Sequence, residues 1–175
     1  MQNLKIVLTI LVALLLQLVL PKRLLFFRYI DLALIVTVYF SLQREPVRSM
    51  FIGAFAGLGG DAVSGGIMGI GGFIKTLTGY LISVTSIKFS LENPLLRLAV
   101  VAGASVVNTF LFVGLNLMLE QDLPYISNWS EFGKTLGWKA LADTTTAMVL
   151  FVILDRVFPE KPAASRMMIK KRFYE

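Results

Sequence analysis

Six charged residues stand inside, or at the edge of, long apolar runs: Arg28, Asp31, Asp61, Lys75, Lys139 and Asp143. A charge at the centre of a bilayer costs about 2.5–3.5 kcal/mol on insertion scales, so each needs a partner or a wet cavity. Arg28 and Asp31 are three apart and Lys139 and Asp143 four apart, spacings that bring side chains together on one helix face. Asp61 and Lys75 belong to opposite arms of a glycine-rich segment and can face each other across it. Two arrangements fit these residue types. One is a polar cluster lining a pocket that opens outward; the other is three self-neutralised pairs snorkelled to an interface.

The second group is "GLGGDAVSGG", residues 57–66. Asp and Ser oxygens satisfy backbone N–H groups at turns and helix starts, and glycine permits positive φ. A phosphate cradle is the sharper alternative. Its nearest match, "GIMGIGGFIKT" at 66–76, has no glycine directly before Lys75 and no strand leading in. Asp61 has no neighbouring carboxylate in sequence with which to relay a proton. The chain has no histidine and no cysteine, which removes His-dependent triads, thiolate metal sites and disulfides. With no acid-rich metal motif either, no catalytic residue, metal site or cofactor is expected.

The elements that carry these residues follow from composition. Of 175 residues, 56% are hydrophobic and 16% charged, against roughly half and a quarter in soluble domains. Runs of about 20 apolar residues can cross a bilayer. Six helical spans are expected, at about 4–20, 27–42, from after Pro46 to 60, 67–87, 95–119 and 136–158. Pro21, Lys22 and Arg23 are expected to stop the first, and Arg28 and Asp31 to sit in the opening turn of the second. The first run lacks the small-x-small residues of a signal cleavage site and reads as a retained helix. Ten of the fourteen glycines fall between Gly53 and Gly79. The Gly53/Gly57 pair and the Gly65/Gly69 spacing suit close helix approach, in a tight hairpin whose turn is 61–66. Asn108, Asn116 and Thr144 to Thr146 are expected to hydrogen-bond across helices.

The net charge of +6 would suggest nucleic acid in a soluble chain. Here the basic residues cluster at the ends of apolar runs, which points to membrane orientation instead, with no nucleic-acid partner. The tail "EKPAASRMMIKKRFYE" carries five basic residues, and placing it inside puts both termini in the cytoplasm. Arg44, Arg48, Lys88 and Arg97 then also face inward, against the dissent of Lys22 and Arg23. The acidic loop around 120–131 faces out, with Tyr125, Trp129 and Trp138 as an aromatic belt. The chain reads as one six-helix transmembrane domain, 1–160, with a basic cytoplasmic tail, 161–175.

Residues 28–83 resemble the core of the rod shape-determining protein MreD family. The family pattern has an acidic residue opening the second helix, a hydrophobic run ending in Tyr, a basic loop, and a glycine-spaced helix. A G-L-x-x-D-x-x-S-G-G-x-x-G turn and a helix ending near G-Y-L follow. Asp31, Tyr39, Gly57, Leu58, Asp61, Ser64, Gly65, Gly66, Gly69, Gly79, Tyr80 and Leu81 match it, while Ile30 stands where the family often has proline. The resemblance implies an all-α bundle similar to the substrate-binding S-components of energy-coupling-factor vitamin transporters. It further implies a non-catalytic part of the bacterial elongation machinery in the inner membrane. Its partner would be MreC, linking it to RodA with its penicillin-binding transpeptidase and to MreB. On this view the hairpin residues Gly53, Gly57, Asp61, Ser64, Gly65, Gly66 and Gly69 are expected to pack the partner's transmembrane helix. A vitamin-binding S-component is the alternative, weakened because the first helix offers only Ala13 for the A-x-x-x-A docking pair of those subunits.

Overall fold

The computed structural model describes residues 2–23, 29–65, 67–89, 93–119 and 129–158. Arg28, Gly66, Tyr125 and the tail 161–175 lie outside the described residues, as does the side chain of Trp129. The described residues form α1 (Gln2–Arg23), α2 (Leu32–Ser41), α3 (Pro46–Ser64), α4 (Ile70–Lys88), α5 (Pro94–Met118) and α6 (Trp129–Val157). Among the described residues, three segments are long and apolar enough to cross a membrane: Asn3–Pro21, Ile70–Lys88 and Pro94–Met118. The others fall short for identifiable reasons. Helix α2 has ten residues, α3 is diluted by glycine, and α6 carries Lys134, Lys139, Asp143, Asp155 and Arg156.

Helix α2 is the axis of the bundle. Every residue from Leu32 to Ser41 is buried, as expected of a helix whose sequence, "LALIVTVYFS", is apolar on nearly all sides. The other five helices all pack on it. At its C-terminal end Tyr39 meets Phe151 edge-on at 5.3 Å and Phe40 meets Phe158 at 5.1 Å, geometry that aromatic quadrupoles favour. Helix α2 is shorter than the expected 27–42 because Asp31 stands outside it, as its N-cap. Asp31 has φ −103° and ψ 86°, and its side chain accepts from Leu34 N–H. Helix α1 continues through Pro21 and ends at Arg23, within the expected stop of Pro21, Lys22 and Arg23; a proline in the last turn removes only one late hydrogen bond.

Successive helices alternate in direction. The Gln17 side chain, late in α1, accepts from Ala33 N–H at the start of α2 (3.3 Å). Asn3 and Arg48 join the starts of α1 and α3. Asp155, near the end of α6, accepts from Tyr39 at the end of α2 (3.0 Å) and pairs with Arg97 at the start of α5 (3.4 Å). One end of the bundle, termed the base, therefore gathers Asn3, Tyr39, Arg44, Arg48, Arg97 and Asp155.

The glycine hairpin turns later than expected. Helix α3 continues through Gly59 and Gly60 and ends on Gly65, whose φ of 69° is the left-handed C-cap conformation. Gly69 (φ 108°) then leads into α4. Asp61 is thus in the last turn of α3, and the turn itself lies after Ser64.

Candidate functional site

Four helices converge on one buried ionic network. Asp31 Oδ2 takes a salt bridge from Lys75 Nζ of α4 at 2.9 Å, while Oδ1 caps α2. The Asp31 backbone N–H donates to Asp143 Oδ1 of α6 at 2.8 Å. Asp143 Oδ2 accepts from the Ser105 hydroxyl of α5. Asp143 is fully buried, and Asp31 and Lys75 are nearly so. Lys139, half-buried one turn before Asp143, adds a second positive charge that acts on both carboxylates. Counting 1.5 Å per residue from the base, these groups sit about 15–20 Å along their helices. That is the middle of the bundle. Pairs snorkelled to an interface would leave charged heads exposed, so that expectation is corrected for Asp31, Lys75 and Asp143, which are interior. Asp31 and Lys75 pair with each other, and Asp143 is held by Ser105 and the Asp31 amide.

Two pairings expected from sequence spacing are also corrected. Lys75 pairs with Asp31, not with Asp61. Asp143 bonds Ser105 and the Asp31 amide, and among the described residues no salt bridge joins it to Lys139. The reason is common to both. Hairpin proximity and i,i+4 spacing rank near neighbours, whereas a buried carboxylate takes the donors that its packing brings to it. Ser105 was not legible as a site residue; its only signal is a hydroxyl in mid-run of a strongly apolar helix.

Asp61 forms a separate site at the far end. Its Oδ2 accepts from Gly69 N–H (2.8 Å) and Gly72 N–H (3.2 Å), and its Oδ1 from Gly71 N–H (3.0 Å). The first-turn amides of a helix form a ready anion site. Here the anion is the chain's own carboxylate, which takes up the Gly69, Gly71 and Gly72 amides that a phosphate would need. A Cβ on Gly71 would strike Asp61 Oδ1. The Ser64 hydroxyl donates to the Asp61 carbonyl at 3.3 Å. We expect Asp61→Ala to lower the unfolding midpoint of the detergent-purified protein by an amount equivalent to about 1.5–3 kcal/mol, the worth of hydrogen bonds to a charged group. An unchanged midpoint would mean the cradle does not hold the hairpin.

Between the two sites runs a backbone seam. A Cβ on Gly53 would meet the Lys75 carbonyl carbon at 2.7 Å, one on Gly57 the Gly71 carbonyl carbon at 2.6 Å, and one on Gly79 the Ser49 oxygen at 2.9 Å. Residues 49, 53 and 57 of α3 thus oppose 79, 75 and 71 of α4, each four-residue step up one helix matched by a step down the other. Gly53 and Gly57 are buried in this contact and present no surface to another chain. The expectation that they receive a partner's helix is corrected: the GxxxG pair joins α3 to α4 within the chain. Of the other hairpin residues, Ser64 and Gly65 are exposed and Gly69 is half-buried.

The polar side chains of α5 and α6 mostly turn inward on their own helices. Thr144 and Thr145 donate to the carbonyls of Ala140 and Leu141, and Asn116 to that of Phe112. An i−4 carbonyl is the nearest acceptor in an apolar helix, which overrides the cross-helix bonds expected of these residues. Asn108 is buried, and its Oδ1 has no hydrogen-bond partner among the described residues.

Residues 1–158 match the family model described as rod shape-determining protein MreD. No curated protein and no solved structure matches the chain.

Proposed function

The chain belongs to the MreD family, and we propose that this shape-determining protein is a non-catalytic scaffold of the bacterial cell-wall elongation complex. In this reading it binds MreC, and through it joins RodA with its penicillin-binding transpeptidase and, indirectly, the MreB filament. The family match over residues 1–158 carries the reading. The site geometry agrees with it: Asp31 and Asp143 are engaged by Lys75, Ser105 and backbone amides, as expected of groups that fix a fold.

We place the chain in the inner membrane with six passes and both termini cytoplasmic. The alternation of helix directions supports this, as does the base, where Arg44, Arg48 and Arg97 stand beside two acids, Glu45 and Asp155. An excess of arginine and lysine marks the cytoplasmic side. Because the glycine seam is closed, the partner's helix meets outward residues, with Ser64 and Gly65 the hairpin positions still accessible to it.

Tagging the chain in its host, extracting it in mild detergent and identifying what co-purifies tests the proposal. An MreC-type protein with wall-synthesis enzymes behind it is expected. A coupling subunit with paired ATPases would make the chain a transporter subunit instead.

A further inference from the structure

Between α1 and α3, at the base, lies a groove of about 1050 Å³. Its floor and walls are apolar. Ile6 and Ile10 of α1 are buried in it, and Phe51 and Phe55 of α3 stand more than 60% exposed along its edge. Its mouth is basic. Arg44 and Arg48 line it with a single acid, Glu45, and Lys5 is exposed on the adjoining turn of α1. Arg48 is braced by Glu45 at 2.9 Å and by Asn3 at 3.3 Å, so its guanidinium is held at the mouth. Helix α3 starts there at Pro46, and the Glu45 side chain is turned to Arg48 and does not cap it.

We propose that this groove binds an anionic phospholipid, its phosphate at Arg44 and Arg48 and an acyl chain along Ile10, Phe51 and Phe55. Charge complementarity selects this occupant. A partner's transmembrane helix would bring its cytoplasmic flank to the same level, and such flanks are rich in lysine and arginine, which the arginines here repel. The chain's own tail, with five basic residues among 160–175, is excluded on the same ground. A lipid phosphate is the opposite charge, at the depth where the apolar wall gives way to arginine. The inference rests on the membrane-embedded reading, which a separate observation checks: the chain should leave membranes with detergent and not with high salt.

The test uses the full chain, delipidated in neutral detergent, with palmitoyl-oleoyl phosphatidylglycerol or the phosphatidylcholine of identical chains added, and bound lipid counted by native mass spectrometry. One phosphatidylglycerol should be retained in preference to phosphatidylcholine. Arg44→Gln and Arg48→Gln should each weaken its retention about fivefold, the factor corresponding to one basic residue at a lipid surface. Val7→Trp, at an exposed position lining the groove, should displace the lipid without altering charge or unfolding midpoint, which separates occupancy from folding. Equal retention of the two lipids, or no effect of both arginine variants, would overturn the proposal. So would a photo-crosslinker at Phe55 that captures a partner's helix in native membranes in place of lipid.

Discussion

Replacing Lys75 with methionine while Asp31 stays in place is expected to destabilise the protein by about 3–5 kcal/mol, the usual consequence of stranding one partner of a buried ion pair. Methionine nearly preserves the volume of the lysine stem, so packing changes little, and the effect isolates the charge. Asp31 would keep its bond from Leu34 N–H and the more distant charge of Lys139, together too little to replace an ammonium at 2.9 Å. Combining Lys75→Met with Asp31→Asn should recover most of the loss. Asparagine still caps a helix well, and neither member of the pair is then left charged. The double-mutant cycle reads this directly from unfolding midpoints of the detergent-purified chain. Lys134→Met, at an exposed position, is the control. If Lys75→Met were no worse than Lys134→Met, the pair would be solvated and the network would not be an interior feature.

The same network shows what a sequence can and cannot reveal. That Asp31, Lys75 and Asp143 need partners follows from their residue types and apolar surroundings, and the structure does bring these three together. Who partners whom does not follow. Asp31 and Asp143 are 112 positions apart, and the contact between them depends on α2 being a short central helix entered at mid-depth. Asp61 was legible as a residue that satisfies turn amides, because Asp among glycines has few other uses. Its acceptance of three amides from the start of α4 depended on where the turn falls, and that was set by the left-handed Gly65 and by Gly69. Likewise, a GxxxG pair announces that two backbones touch but carries no information about whose backbone the second one is.

That second backbone is the basis of the other large effect. Gly53→Leu and Gly57→Leu are expected to prevent the hairpin from closing, and even Gly53→Ala should be strongly destabilising. The added Cβ would collide with α4 main chain, which cannot rotate away as a side chain can. The loss should therefore reach or exceed the ~1–3 kcal/mol typical of overpacked cores. Gly103→Ala and Gly114→Ala, where an added Cβ would meet nothing within 4 Å, should leave the midpoint unchanged or raise it, since alanine is the better helix former. Position 53 has a further consequence. Its neighbour across the seam is the carbonyl of Lys75, the residue whose ammonium reaches Asp31. Pushing α4 outward at that point lengthens the ion pair, so Gly53→Ala and Lys75→Met should be less than additive, whereas Gly57→Ala, opposite Gly71, should combine with Lys75→Met closer to additively. Were Gly53→Leu instead to fold normally and lose only a co-purifying partner, the glycine face would be an intermolecular surface, and α3 and α4 could not meet in the register of 49, 53 and 57 against 79, 75 and 71.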